Sequence, residues 1–163
     1  MNTHTPKSNT PLAYLITFHT YGTWLHGDQR ESVDRRHNAP GTPRIKPNES
    51  LQAWRARHMR GEPFELSIEA REVVQSAIRE VCEHRCWQFH AVNVRTNHVH
   101  AVIGANADAS RVLGDVKRWP TRRLRENGLV SATQRVWTEH GSTRRIWNSD
   151  GLAAACDYVN NRQ

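Results

Sequence analysis

The stretch "VNVRTNHVHAVIGA", residues 92–105, constrains the fold of this chain more than any other. Its β-branched and small apolar residues suit a strand. Side chains alternate across a strand, so Val99, Ala101 and Ile103 share one face while His98 and His100 share the other. Such a strand turns its apolar side toward helices and keeps two imidazoles on an open face. Alternate residues stand roughly 6.5–7 Å apart along the chain, close enough for both imidazoles to meet one divalent cation. Two histidines in this pattern also occur as ordinary solvated side chains, so the pair alone does not decide the chemistry.

The remaining elements follow from periodicity and breakers. "LAYLITFHTYGTWL", residues 12–25, is rich in β-branched and aromatic residues and reads as a strand. A polar, proline- and glycine-bearing stretch from about 26 to 65 reads as a long insertion, with a short helix around "ESLQAWRARHM". In "SIEAREVVQSAIREVCEHRCW", Val74, Ala77, Ile78 and Val81 recur on one helical face behind a Ser67 cap. "QFHAVNVRTNH" and "HVHAVIGA" are two strands joined by a turn or bulge near Thr96 and Asn97. "DASRVLGDVKRWPTRRLRENGL" is helical from a cap at Asp108 to a stop at Gly128, with Pro120 expected to kink or divide it. "RVWTEHGSTRRIW" reads as a last strand or hairpin. "SDGLAAACDYVNNRQ" reads as a terminal helix capped by Ser149, with Leu152, Ala155, Cys156 and Val159 buried. Without the insertion the order is βαββαβ plus a helix: an α+β, ferredoxin-like domain with an antiparallel sheet and helices on one face. Residues 1–11 are expected to form a disordered tail and residues 12–163 a single domain.

Charge points to the partner. Lys and Arg number 23 against 16 Asp and Glu, a formal net charge of +7, which favours a polyanion. Arginine outnumbers lysine, and its planar fork suits phosphate. Lys117, Arg118, Arg122, Arg123 and Arg125 form the densest cluster, with Arg118, Arg122 and Arg125 on one helical face. This is a candidate phosphate track, though a solvated face is the ordinary fate of such a run. Arg144 and Arg145 can extend it, and Arg35 and Arg36 lie in the insertion. Six tryptophans offer stacking surfaces for bases or, more commonly, core filling. Cys82, Cys86 and Cys156 make no CxxC pair and read as reduced, mostly buried thiols. No run is long and apolar enough for a membrane span, and the start lacks a signal peptide, so a cytoplasmic, nucleoid-associated protein is expected.

Taken together, "TFHTYGTWLHGD", "HAVNVRTNHVH", "VWTEHGSTR" and "AAACDYVNNRQ" occur in the order found in REP-associated tyrosine transposases and related insertion-sequence enzymes. The chain resembles this HUH single-strand transposase superfamily over most of residues 12–163. The resemblance implies that Tyr158 is a nucleophile forming a 5′-phosphotyrosine and that His98 and His100 bind the metal. It also implies that single-stranded hairpin DNA is the substrate. A phenol, with an ordinary pKa of about 10, is a poor nucleophile at neutrality and gains from a nearby cation. Ala154 and Ala155, one turn before Tyr158, are expected to leave room for a phosphate.

The resemblance favours Gln163 as third metal ligand, with Asn161 as the alternative. Imidazole and amide donors suit Mg²⁺ or Mn²⁺. Glu139 and His140 are candidate accessory groups for orienting phosphate or moving a proton, or they form a hydrogen-bonded turn. His19 is adjacent to the site or simply packed, and His90 is at most a supporting group. The resemblance also admits a homodimer that shares active sites between chains, with Tyr158 serving the partner. Two rivals stand beside this reading: an inactive nucleic-acid-binding module of the same fold, and a metal-dependent hydrolase of small phosphates, which the net charge disfavours.

Overall fold

Four strands and four helices appear in the computed structural model, which describes residues 10–25, 43 and 45–161. The expectations for the first residues of the tail, for Arg35, Arg36 and the rest of 26–42 in the insertion, and for Gln163 fall outside the described residues. In chain order the elements are β1 (Ala13–His19), α1 (Glu49–Arg57), α2 (Ile68–His84), β2 (Gln88–Val94), β3 (His98–Gly104), α3 (Ala109–Glu126), β4 (Ser142–Ile146) and α4 (Ser149–Asn161). The sheet runs β2-β3-β1-β4 with every neighbouring pair antiparallel. That is the ferredoxin-like order expected from βαββαβ.

The two faces of the sheet carry two separate apolar clusters. On one, Tyr14, Ile16, Phe18, Val99, Ala101 and Ile103 meet the buried stripes of α2 and α3, among them Val74, Ile78, Val81, Val112, Val116 and Leu124. Each fully buried aliphatic or phenyl side chain here stabilises the fold by about 1.5–3 kcal/mol. On the other, Ala13, Ala91, Val102 and Ile146 pack with Ala155 and Val159 of α4. The terminal helix thus covers the face opposite α2 and α3, so the helices do not all lie on one side. A bulge between Phe89 and Ala91 shifts the β2 register, turning Phe89 toward α2 and α3 and Ala91 toward α4.

Local signals mostly do what the sequence implied. Ser67 Oγ accepts from Ala70 N (3.1 Å) and Asp108 Oδ1 from Arg111 N (3.0 Å). Gly128 takes a positive φ of 70° just past α3. Several expectations are corrected. Strand β1 stops at His19, and a turn with Gly22 at φ 75° follows. Pro120 does not divide α3, which runs unbroken from Ala109 to Glu126. The cap of α4 is Asn148, whose Oδ1 accepts from Gly151 N at 2.8 Å, because it precedes Ser149 where helical geometry already begins. Cys86 is exposed, since it sits past the end of α2 at φ 56°. None of the six tryptophans is fully buried, and Trp54 and Trp147 are largely exposed. The helix expected in the insertion forms as α1, which buries no residue.

Candidate active site

Register places His98 and His100 in a row of polar groups on the α4 face. His19 of β1 pairs with His98, Thr17 with His100, and on the other side Asn93 of β2 also pairs with His100. The His98 and His100 rings meet edge-on with centroids 4.9 Å apart, and His19 lies 5.6 Å from His98. Trp24, carried back by the turn after β1, stands edge-on to His19 at 4.3 Å. His100 is buried at 7% exposure while Tyr158 is 40% exposed. The two rings meet at 5.7 Å and 81°, within a single chain.

Both imidazoles are oriented through Nδ1. His98 Nδ1 donates to Asn97 Oδ1 at 2.7 Å, and His100 Nδ1 shares a 2.8 Å hydrogen bond with Thr17 Oγ1. An acceptor at Nδ1 of His98 sets the proton there and leaves the ring lone pair on Nε2. Metal-binding histidines are commonly held by such partners on the remote nitrogen. Two imidazoles oriented in this way are a donor pair that would fit a divalent cation. Among the described residues no group of three His, Cys, Asp or Glu side chains is placed to hold a metal ion. The expected third ligand, Gln163, lies outside them. Asn161, the alternative, donates its amide to Asp157 Oδ1 at 2.9 Å.

Other expected site residues separate into two groups. Lys117 sends its ammonium to the carbonyls of Thr138 (2.8 Å), Glu139 (3.3 Å) and His140 (2.9 Å), which makes it a clasp on that segment. Burial pushes its pKa down to about 8, opposed by the Glu139 charge. Arg123 is held by Glu80 (Nε to Oε2, 2.8 Å) and by Glu126 (Nη1 to Oε2, 2.7 Å), tying α3 to α2. Arg118, Arg122 and Arg125 line a groove of about 540 Å³ together with Thr121, Glu126, Trp137 and Lys117 itself. Asp115 engages Arg118 and Glu126 engages Arg122. Glu139 and His140 are exposed, 4.0 Å apart, on a segment that Thr138 N anchors to His19 O at 3.0 Å. Gly141 lets this segment run close to β1, since a Cβ there would stand 2.9 Å from Thr17 O. Ala155 faces the sheet seam, so of the two alanines before Tyr158 only Ala154 is exposed.

Sequence reading missed Thr17, Asn93 and Asn97 as neighbours of the histidines. Alternation along β1 carries the signal for Thr17, which shares a face with His19; Asn93 needed the hairpin register.

Residues 59–161 match the family model for IS200-like transposases. The match spans more than half of the chain, which therefore belongs to the IS200-like transposase family, a family of DNA-processing enzymes. Two solved structures are similar. One is a candidate transposase from Deinococcus radiodurans, 12% identical, with a TM-score of 0.52 over 100% of this chain and 98% of that one. The other is a REP-associated tyrosine transposase bound to a REP hairpin, 14% identical, with a TM-score of 0.49 over 98% of this chain and 70% of that one. At such identities the likeness to the first concerns the fold. No curated protein matches the chain. No helix among the described residues is long and apolar enough to cross a membrane.

Proposed function

We propose that this transposase cuts and rejoins single-stranded DNA at a hairpin through a covalent intermediate on Tyr158. The observation that carries the reading is the meeting of Tyr158 and His100 at 5.7 Å in one chain, with the phenol accessible and the imidazole buried. In the reaction, Tyr158 Oη forms a bond to phosphorus as the P–O3′ bond breaks in line. The phenol gives up its proton and the departing 3′-oxygen gains one, leaving a 5′-phosphotyrosine and a free 3′-hydroxyl. Attack of a 3′-hydroxyl on that ester reverses the step, so no nucleotide cofactor is consumed.

His98 and His100, with Gln163 as third ligand, would hold Mg²⁺ or Mn²⁺. The ion supplies charge stabilisation at a non-bridging phosphate oxygen when bound. Thr17 and Asn97 keep the two rings aimed. Arg118, Arg122 and Arg125 grip the phosphates of the paired stem. The segment bearing Glu139 and His140 joins that groove to His19 and orients the strand entering the site.

Incubation of hairpin DNA carrying a single-stranded flank with protein and Mn²⁺ tests this. A covalent protein–DNA adduct is expected for the wild type and none for Tyr158→Phe. Tight binding without an adduct in the wild type would favour the binding-module alternative.

A further inference from the structure

We infer that Asn93 is a positioning residue for Tyr158, its side-chain amide setting the axial register of α4 above His100. The inference rests on the reading of Tyr158 as nucleophile. Asn93 is the residue paired with His100 across the β2–β3 ladder, and its Nδ2 donates to the carbonyl of Val159 at 3.0 Å. Val159 follows Tyr158 directly and ends the buried stripe of α4. One side chain thus links the strand position facing the buried imidazole to the helix position next to the phenol.

This bond acts on the last described turn of α4, which carries the Val159 carbonyl. The seam beneath sets Ala13, Ala91, Val102 and Ile146 of the sheet against Ala155 and Val159 of the helix, with Leu15, Leu152 and Cys156 partly buried against them, and it contains apolar groups alone. Such contacts set the spacing of helix and sheet but discriminate weakly between positions along the helix axis. A slip of one turn moves a residue by about 5.4 Å and would bring Ala154 toward the place of Tyr158. A hydrogen bond to one named carbonyl fixes the height directly. Misplacing reacting atoms by about 1 Å can cost roughly 100-fold in rate.

The test pairs Asn93→Ala with Asn93→Asp, which keeps the shape but at neutral pH offers Val159 an acceptor in place of a donor. Single-turnover adduct formation at saturating hairpin DNA is expected to fall at least about tenfold in both, with the DNA Kd within about twofold of wild type. The protein has three tyrosines, Tyr14, Tyr21 and Tyr158, so 3-fluorotyrosine labelling gives a readout independent of turnover. The Tyr158 fluorine line, assigned by its loss in Tyr158→Phe, should move toward the solvent-exposed position or split in both variants. The Tyr14 and Tyr21 lines, which report the fold, should stay in place. An unmoved Tyr158 line with wild-type cleavage in the folded variants would overturn the inference. If the wild type makes no adduct at all, the nucleophile reading fails, and the fluorine line still decides whether Asn93 seats the helix.

Discussion

Tyr158 and His100 face each other edge-on across the seam between the terminal helix and the central strand, ring centroids 5.7 Å apart. The contact joins residues far apart in sequence and needs no second chain. It places an accessible phenol over a buried imidazole whose opposite nitrogen is already engaged by Thr17. Removing the hydroxyl in Tyr158→Phe should abolish the adduct while moving stability by no more than about 0.5 kcal/mol, because the ring edge remains and the site is surface-facing. Adduct gels and thermal melts check both halves.

Thr17→Val keeps the β-branched shape of a strand residue and removes the hydroxyl that holds His100 Nδ1. Loss of such an orienting partner typically costs about 10–100-fold in metal affinity or activity. Titrating Mn²⁺ against cleavage should show the variant shifted to higher metal concentration, with DNA binding preserved.

The basic residues of α3 should separate by role. Arg125→Ala removes a groove-lining cation and should weaken hairpin binding, lowering the slope of log affinity against log salt by about 0.7–0.9 if one phosphate contact is lost. Lys117 lines the same groove, but its ammonium is spent on backbone carbonyls, so Lys117→Met should act chiefly on the fold. It leaves three carbonyls without their ammonium and is expected to destabilise by about 1–3 kcal/mol. Binding isotherms across a salt series and denaturant melts distinguish the two.

Hydrogen bonding to Arg123 holds the Glu80 carboxyl below the usual carboxylate range. A folded-state value lower than the unfolded one means that the link contributes fully above the ordinary pKa and is lost as pH falls through the lower folded value. The pair is partly exposed, so solvent screening keeps its contribution small. Melting curves of wild type and Glu80→Gln should differ slightly at pH 7 and converge as the pH drops below 4.

Periodicity carried most of the architecture. Helix α2 shows its buried face in Val74, Ala77, Ile78 and Val81, and β3 divides into apolar and histidine faces as its alternation requires. What periodicity does not contain is which face a helix chooses. Leu152, Ala155, Cys156 and Val159 define a stripe equally able to pack on either side of a sheet, and α4 takes the one left open by α2 and α3. The same gap hid the fate of Lys117 and Arg123. Spacing places them beside Arg118 and Arg122, but the carbonyls of 138–140 and Glu80 that engage them come from distant segments. Asn93 escaped notice for a related reason: the bulge at Phe89 and Ala91 fixes which β2 residues share a face with the histidines, and nothing local announces it.

The larger apolar cluster, built around Phe18, Val99 and Leu124, closes without a single α4 residue. The proposed nucleophile and the main core therefore sit on opposite sides of the sheet. A premature stop before Ser149 would leave the arginine groove intact on a body that retains its main core. On the proposed reading, a gene damaged in this way would encode a competitor that occupies the hairpins its intact siblings need, curbing their mobility without any chemistry of its own.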